Sequence, residues 1–150
     1  MKYFTSYLAG VIDSDGSISI IKRTKQTTTR GYSYRELVQL SWVYSTPALK
    51  FMNEIKKLYG GSVFEYTKQA NEFSSDSIIL KYTVEAKGAD KLVRDILPYL
   101  TLKKEQAKRM VKMRELKSMQ YGAGNPKPDS HWKLEDAIWK KNLKQKSRAW

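Results

Sequence analysis

Residues 7–18 read YLAGVIDSDGSI and form the most informative stretch of the sequence. Thr5 or Ser6 can cap a helix of about two turns over residues 7–13, and Gly16 supplies its stop. Apolar residues alternate with polar ones directly after the glycine, which is typical of a half-buried strand. The sequence therefore predicts a short helix that leads straight into a strand.

Two carboxylates, Asp13 and Asp15, lie at the end of this helix, where the dipole favours a bound cation. An oxygen-liganded divalent ion such as Mg²⁺ fits there. A calcium-binding EF-hand loop is excluded by spacing, because Gly16 at the invariant glycine would make Val11 the first ligand and Lys22 the final carboxylate. The simpler alternative is that the two aspartates only end a helix and begin a turn.

One side of the helix carries small residues, namely Ser6, Ala9 and Gly10. A helix face without bulk lets another helix backbone approach closely. We therefore predict that an identical helix from a second copy packs here, with Asp13 at the end of the same interface.

The rest of the chain continues the pattern of helices and strands. Alternation recurs at 37–44, after a polar stretch, and closes a hairpin with a long loop. Pro47 opens a second helix that Gly60 and Gly61 end. The further predicted elements are strands over 62–68 and 78–84 and helices over 88–100 and 103–118. The predicted class is α+β: an αββαββα core with a four-stranded antiparallel sheet, plus C-terminal helices.

A tail follows the core. Gly122, Gly124, Pro126 and Pro128 mark a linker, and Asp129 with the next serine can cap a last, lysine-rich helix. We interpret 1–118 as one domain and 119–150 as a linker and basic helical extension of that domain. A separate DNA-contacting element is the alternative.

Composition limits the chemistry. The 150 residues include 28 lysines and arginines against 15 acidic residues, a formal net charge of +13. Such an excess indicates a polyanionic partner, and nucleic acid fits better than a membrane because no apolar run is long enough to span one. The chain has no cysteine and His131 alone, so any metal must be held by oxygen. Without a signal-peptide pattern we expect an intracellular protein, in a prokaryotic cytoplasm or an organelle, not a secreted one.

A resemblance then becomes specific. Residues 8–16 resemble the defining motif of the LAGLIDADG homing endonucleases, with Val11 for leucine and Ser14 for alanine. Residues 98–107, PYLTLKKEQA, are similar to the family's Leu-x-Leu-Lys-x-x-Gln-Ala pattern. The predicted element order also agrees with the family's core, and the resemblance covers about Phe4 to Leu116.

The resemblance implies roles for particular residues. It places metal binding and catalysis on Asp15, with the backbone carbonyl of Ser14 assisting, and it places Lys103 beside the scissile phosphate. An ordinary phosphate contact is the simpler role for Lys103. Mg²⁺ is the implied cofactor, with Mn²⁺ tolerated. Residues 44–48 lack the family's polar and basic pair, so Tyr44, Ser45 or Thr46 would have to orient water.

DNA contacts are expected on the outer face of the sheet, since alternate strand residues can reach base edges in the major groove. Ile18 and Ile20 are predicted to pack inward. The predicted DNA-contacting residues, including loop residues that extend the footprint, are Ser19, Arg23, Lys25, Arg30, Tyr32, Tyr34, Arg35, Gln39, Ser41, Tyr66, Lys68 and Lys81.

A single motif implies a homodimer, because cutting both strands of DNA needs two acidic helix ends. The predicted function is site-specific, metal-dependent cleavage of a long pseudo-palindromic DNA site by an intron-encoded enzyme. Two alternatives stay open: a maturase that binds its host intron RNA, and a DNA-binding protein of the same fold without nuclease activity.

Overall fold

An antiparallel sheet of four strands forms the centre of the molecule. The computed structural model describes the backbone of residues 2–28, 30–122 and 124–148, and the side chains of 3–28, 30–122 and 124–144. The elements in chain order are α1 (Lys2–Asp15), β1 (Gly16–Thr24), β2 (Tyr32–Val43), α2 (Thr46–Tyr59), β3 (Ser62–Lys68), β4 (Ser77–Glu85), α3 (Ala86–Ile96), a 3-10 turn (Leu97–Tyr99), α4 (Lys104–Ser118) and α5 (Asp129–Arg148).

The strand order across the sheet is β1-β2-β4-β3, and every neighbouring pair is antiparallel. Helices cover one face of this sheet and bury the main core there, which includes Leu8, Ile12, Val38, Met52 and Leu80. The predicted α+β class and αββαββα order are confirmed.

Helix α1 is longer than the sequence predicted at both ends. It begins at Lys2, before the expected caps, and it runs on to Asp15. The early start is explained by a contact that is distant in sequence, since the rings of Phe4 and Tyr7 pack on Phe51 of α2 with centroids 5.6 and 5.3 Å apart. Helices gain most of their stability from such packing rather than from capping alone.

Helix α5 packs against α4 and the free end of the β1–β2 hairpin. Its Ile138 joins a second buried cluster with Ile20 and Tyr34, and Trp139 stacks on the ring of Tyr34 at 5.5 Å. The hydroxyl of Tyr34 also donates a hydrogen bond to Asp136 at 2.5 Å. These contacts extend β2 back to residue 32, well before the alternating stretch that predicted it.

His131 is fully buried on the inner side of α5. Its Nδ1 lies 2.9 Å from the hydroxyl of Tyr121, and its Nε2 lies 3.2 Å from Glu135. Burial lowers the pKa of His131, and the nearby charge of Lys127 lowers it further, against the opposing effect of Glu135. The chain's one histidine is therefore part of the packing of the tail helix.

No helix in the described parts of the chain has the length and apolar character needed to cross a membrane.

Candidate functional site

The C-terminal end of α1 presents Asp15 to solvent. The indole N–H of Trp42, on β2, donates a hydrogen bond of 3.0 Å to one oxygen of this carboxylate. Trp42 is itself fixed by stacking on Phe51, with centroids 5.4 Å apart. One oxygen of Asp15 is thus anchored, and the carboxylate lines an open cleft of about 520 Å³ together with Gly10 and Ser14.

Asp13 faces the other way and joins α1 to the start of α4. Its carboxylate accepts hydrogen bonds from the backbone N–H groups of Thr101, Leu102 and Lys103, at 2.6, 3.2 and 2.9 Å. Burial alone would raise the pKa of Asp13, but these three donors and the charge of Lys103 outweigh it and hold the pKa below its usual value. Asp13 thus links α1 to the segment before α4, while its places at the end of a helix and in a dimer interface stay predictions.

Lys103 brings the second sequence motif to the same place. Its ammonium donates to the backbone carbonyl of Asp13, within the last turn of α1. Burial lowers the pKa of Lys103, although the charges of Asp13 and Asp15 oppose that shift. A cation and a carboxylate that are 88 positions apart in sequence, Lys103 and Asp15, therefore meet at one helix end.

We expect Asp13→Asn to lower the free energy of unfolding by about 1–2 kcal/mol at neutral pH, because charged acceptors form the stronger hydrogen bonds. The folded-state pKa of Asp13 lies below the ordinary 3.8, so its contribution is complete above that value and is lost as the pH falls through the folded-state pKa. Urea unfolding of parent and variant should therefore converge in acid.

Glu72→Gln is the matched control, since it removes an exposed carboxylate from the β3–β4 connection. It should leave stability unchanged at both pH values. A gap between the parent and Asp13→Asn that stays constant down to acid pH would contradict the prediction.

The oxygen donors at this helix end suit a hard divalent cation, but one chain supplies few of them. In the described residues no three His, Cys, Asp or Glu side chains come together as a metal site. The hydroxyl of Ser14 donates to the carbonyl of Val11 at 3.2 Å, which leaves the backbone carbonyl of Ser14 as its available oxygen. Mg²⁺ takes six oxygen ligands. Asp15 and Ser14 can hold it only when water, a phosphate or a second copy completes the set.

The outer side of α1 is exposed along its length. Tyr3, Tyr7 and Gly10 are exposed, and a Cβ atom added at Gly10 would meet nothing within 4 Å. The prediction for Ala9 is corrected, because Ala9 is fully buried in its own core and offers no surface to a partner. The open face includes Ser6, which is half-buried.

Register shows which side chains share the outer face of the sheet. Ile18 pairs with Val38 and Ile20 with Glu36 on the helix-covered face, so the intervening positions point outward. The predicted DNA-contacting residues on this outer face are Ser19, Arg23, Arg35, Gln39, Ser41, Tyr66, Lys68 and Lys81. Lys25 is exposed just beyond β1.

One residue on the outer face does not fit its predicted role. Ser19 is only 2% exposed, because its short side chain lies beside the larger Leu37, its cross-strand partner. The expectation that Ser19 points freely toward DNA is therefore corrected.

Three further predicted DNA-contacting residues lie on the opposite side. Thr24 pairs with Tyr32 and Lys22 with Tyr34, which places both tyrosines on the helix-covered face. Tyr34 is 2% exposed, and the hydroxyls of both rings donate to Asp136 of α5. The side chain of Arg30 is also mostly covered.

Arg30 is held by α5 as well. Its guanidinium lies 4.1 Å from the ring of Trp132 and 3.5 Å from the carboxylate of Glu135. The expected extension of the DNA footprint by Arg30, Tyr32 and Tyr34 is corrected, because these side chains make their contacts with α5.

At the start of α2, Ser45 caps the helix by accepting the backbone N–H of Ala48 at 3.1 Å. That hydroxyl is already engaged. Tyr44 and Thr46 are exposed, and a role in orienting water stays a prediction for them.

Two residues near the candidate site and interface were not foreseen. The alternation of β2 places Trp42 on the same face as Val38 and Leu40, and nothing in the sequence links its indole to Asp15. Glu85 ends β4 and lies on the outer face, where it forms ion pairs with both Arg23 and Arg35. Both contacts join positions far apart in sequence, so no local pattern indicates them.

Comparisons with known proteins bear on the family and the fold. A family model described as LAGLIDADG endonuclease matches residues 8–118. No curated protein gives a significant match.

Solved structures share the fold at low sequence identity. The homing endonuclease I-CvuI, in complex with its target in the presence of calcium, superposes with a TM-score of 0.68 at 21% identity, over 93% of this chain and 80% of that one. The archaeal intron-encoded homing endonuclease I-Vdi141I, complexed with DNA, gives 0.67 at 14% identity over 95% and 83%. The DNA-bound meganuclease I-SmaMI gives 0.64 at 16%, over 90% of this chain but 42% of its own.

Proposed function

This chain belongs to the LAGLIDADG endonuclease family, and from that premise we propose that it is a homing endonuclease that cuts both strands of a long, roughly two-fold-symmetric DNA site as a homodimer. The observation that carries the proposal is the meeting of Asp15 and Lys103 at the exposed end of α1. A carboxylate there can hold a divalent cation, and an ammonium can stabilise the negative charge that builds up during phosphodiester hydrolysis.

The homodimer is supported by the incompleteness of one chain. Hydrolysis of both strands serves two scissile phosphates, and the chain contains one copy of the motif with its Asp15. A two-fold axis along the open face of α1 would bring a second Asp15 beside the first. Gly10 leaves that face open, and its lack of a side chain serves no contact within the described part of its own chain.

Each residue of this site would have a separate role in the reaction. Asp15 would bind a divalent cation through its free carboxylate oxygen, while Trp42 keeps the other oxygen in place. Lys103 puts a positive charge where negative charge builds up on the phosphate and the leaving oxygen. The carboxylate of Asp15 and the backbone carbonyl of Ser14 would hold Mg²⁺, which would supply Lewis-acid activation of water, and Mn²⁺ accepts the same oxygen ligands.

DNA binding would come from the outer face of the sheet. Arginine and glutamine side chains such as Arg23, Arg35 and Gln39 can make two hydrogen bonds to one base edge. The net charge of +13 per chain would attach the protein to phosphates, so binding should weaken steeply with salt. I-CvuI was solved in complex with its target and I-Vdi141I in complex with DNA, and both complexes support DNA as the partner.

Encoding within an intron is part of the same proposal, since the archaeal relative is described as intron-encoded. Residues 1–118 would then form the nuclease domain, and 119–150 would be its linker and helical extension. An RNA-binding maturase is the second candidate, favoured by the same positive charge. The exposed carboxylate of Asp15 favours cleavage, because binding to RNA phosphates would gain nothing from it.

The proposal is tested with DNA in which the sequences that flank the reading frame are joined without the intervening segment. With Mg²⁺ we expect a double-strand cut near the junction, and none with a chelator. Binding without cutting would overturn the nuclease assignment, and tighter binding of the intron transcript than of the duplex would favour the maturase. A protein that stays monomeric on DNA would overturn the homodimer.

A further inference from the structure

Three charged side chains form one linked group on the outer face of the sheet. Glu85 is the central member, and each of its two oxygens contacts a different arginine. Arg35 donates from Nη1 to Oε2 at 3.1 Å, and Arg23 donates from Nη2 to Oε1. One carboxylate therefore holds two guanidinium groups that come from different strands.

The register of the sheet explains how the three side chains reach one another. Glu85 pairs with Leu37, two residues from Arg35 on the same face, while Arg23 extends from β1 opposite Ser33. Diagonal neighbours at such a separation lie within reach of long side chains. The group spans three adjacent strands of the face that is proposed to lie in the major groove.

The two arginines remain partly open to solvent. Their side chains are 46% and 44% exposed, whereas that of Glu85 is 26% exposed. The bond from Arg35 uses Nη1 and leaves the edge formed by Nη2 and Nε. The bond from Arg23 uses one N–H of Nη2, and the second N–H of that nitrogen remains to form an edge with Nη1 or Nε. A pair of N–H groups on one edge is what a guanine, with O6 and N7 as acceptors, recognises.

The side chain of Glu85 does not serve the helix that follows it. It stands at the N-cap position of α3, yet its side chain makes no capping hydrogen bond to the helix. The backbone turns sharply just after it, since Ala86 has a φ of 53°, in the left-handed region that non-glycine residues rarely adopt. The carboxylate is directed to the arginines and not to the helix that it precedes.

We propose that Glu85 is a positioning residue that determines base choice by holding Arg23 and Arg35 with their free edges toward guanine-containing base pairs. The inference rests on the proposed DNA-binding function and deepens it. An unheld arginine on this surface would sample many conformations and bind phosphates, which carry no sequence information. The acidic partner also cancels one of the two positive charges, so it weakens indiscriminate binding while it improves discrimination.

The clamp that Glu85 forms on Arg23 and Arg35 is first tested without DNA. In ¹⁵N-labelled full-length protein, the Nη–Hη signals of Arg23 and Arg35 should be resolved and slow to exchange with water, because these terminal nitrogens donate to Glu85. Glu85→Gln should return both to the exchange rate of a solvent-exposed arginine. Glu65→Gln, which removes an exposed carboxylate from neighbouring β3, should change neither. Signals unaffected by Glu85→Gln would overturn the clamp.

The effect on base choice is then measured by selection from a randomised double-stranded DNA library, followed by binding to the recovered sequence and its single-base variants. Arg23→Ala and Arg35→Ala identify the base pairs that each arginine reads. At those pairs Glu85→Gln should reduce discrimination about tenfold, while binding to unrelated duplex becomes stronger. Glu85→Asp keeps the charge with a shorter reach, so it should lose discrimination without the gain in unrelated binding.

Full discrimination in Glu85→Gln would overturn the proposal, and so would an equal loss in Glu65→Gln. Recovery of no preferred sequence by the parent protein would overturn site-specific recognition itself, and with it the role of Glu85 in base choice. A failure of site-specific recognition can be told apart from a failure of the clamp, because the clamp in the free protein would still respond to Glu85→Gln.

Discussion

Replacement of Asp15 by asparagine is expected to reduce DNA cleavage at least about 1000-fold while DNA binding is retained. The substitution keeps the oxygen that accepts the indole N–H of Trp42, so the local geometry should survive. It removes the negative charge from both halves of the proposed symmetric site at once. Single-turnover cleavage and a gel-shift assay on the same duplex measure the two effects separately.

The matched control for this variant is Glu54→Gln, which removes an exposed carboxylate from α2. It should cut at the parent rate. Full hydrolysis by Asp15→Asn would remove the basis of the proposed mechanism, and a loss of binding equal to the loss of cleavage would instead assign Asp15 to DNA binding alone.

Gly10→Ala should stabilise the isolated chain and weaken the dimer. In the monomer an added Cβ meets nothing within 4 Å, and alanine is more favourable than glycine inside a helix by up to about 1 kcal/mol. In the proposed interface the same methyl group would separate two closely packed helices, and symmetry applies this effect twice. We expect the dimer dissociation constant to rise about 30-fold or more, and cleavage at low protein concentration to fall with it.

Sedimentation velocity gives the dimer dissociation constant, and urea unfolding of the dilute chain gives its stability. Ala137→Leu adds bulk to an exposed position of α5 and should leave association unchanged. Unchanged association of Gly10→Ala would show that the outer face of α1 is not the contact between copies.

The elements that local chemistry dictates could be predicted from the sequence. Pro47 and the glycine pair at residues 60 and 61 delimit α2, and the strand over 62–68 was predicted with its observed bounds. These signals act over a few residues, through a fixed φ, a positive φ or a period of two. The motif at the end of α1 belongs to the same group.

What the sequence could not indicate depends on contacts between distant residues. The sequence places Tyr34 in a loop, because its partners Asp136 and Trp139 lie far along the chain on α5. Ala9 looked like a surface residue because its small size suits an interface and a core equally well. Glu85 carries no local signal at all, since its two partners lie on other strands.

The paired contacts of Asp13 with residues 101–103, and of Lys103 with the carbonyl of Asp13, fasten the two motifs into one rigid unit. None of these bonds involves the outer face of the sheet. Changes in the side chains that meet bases can therefore accumulate, by natural drift or by laboratory selection, without altering the distance between Asp15 and Lys103. In the proposed enzyme, the DNA sequence that is recognised can therefore change while the residues proposed for cleavage keep their arrangement.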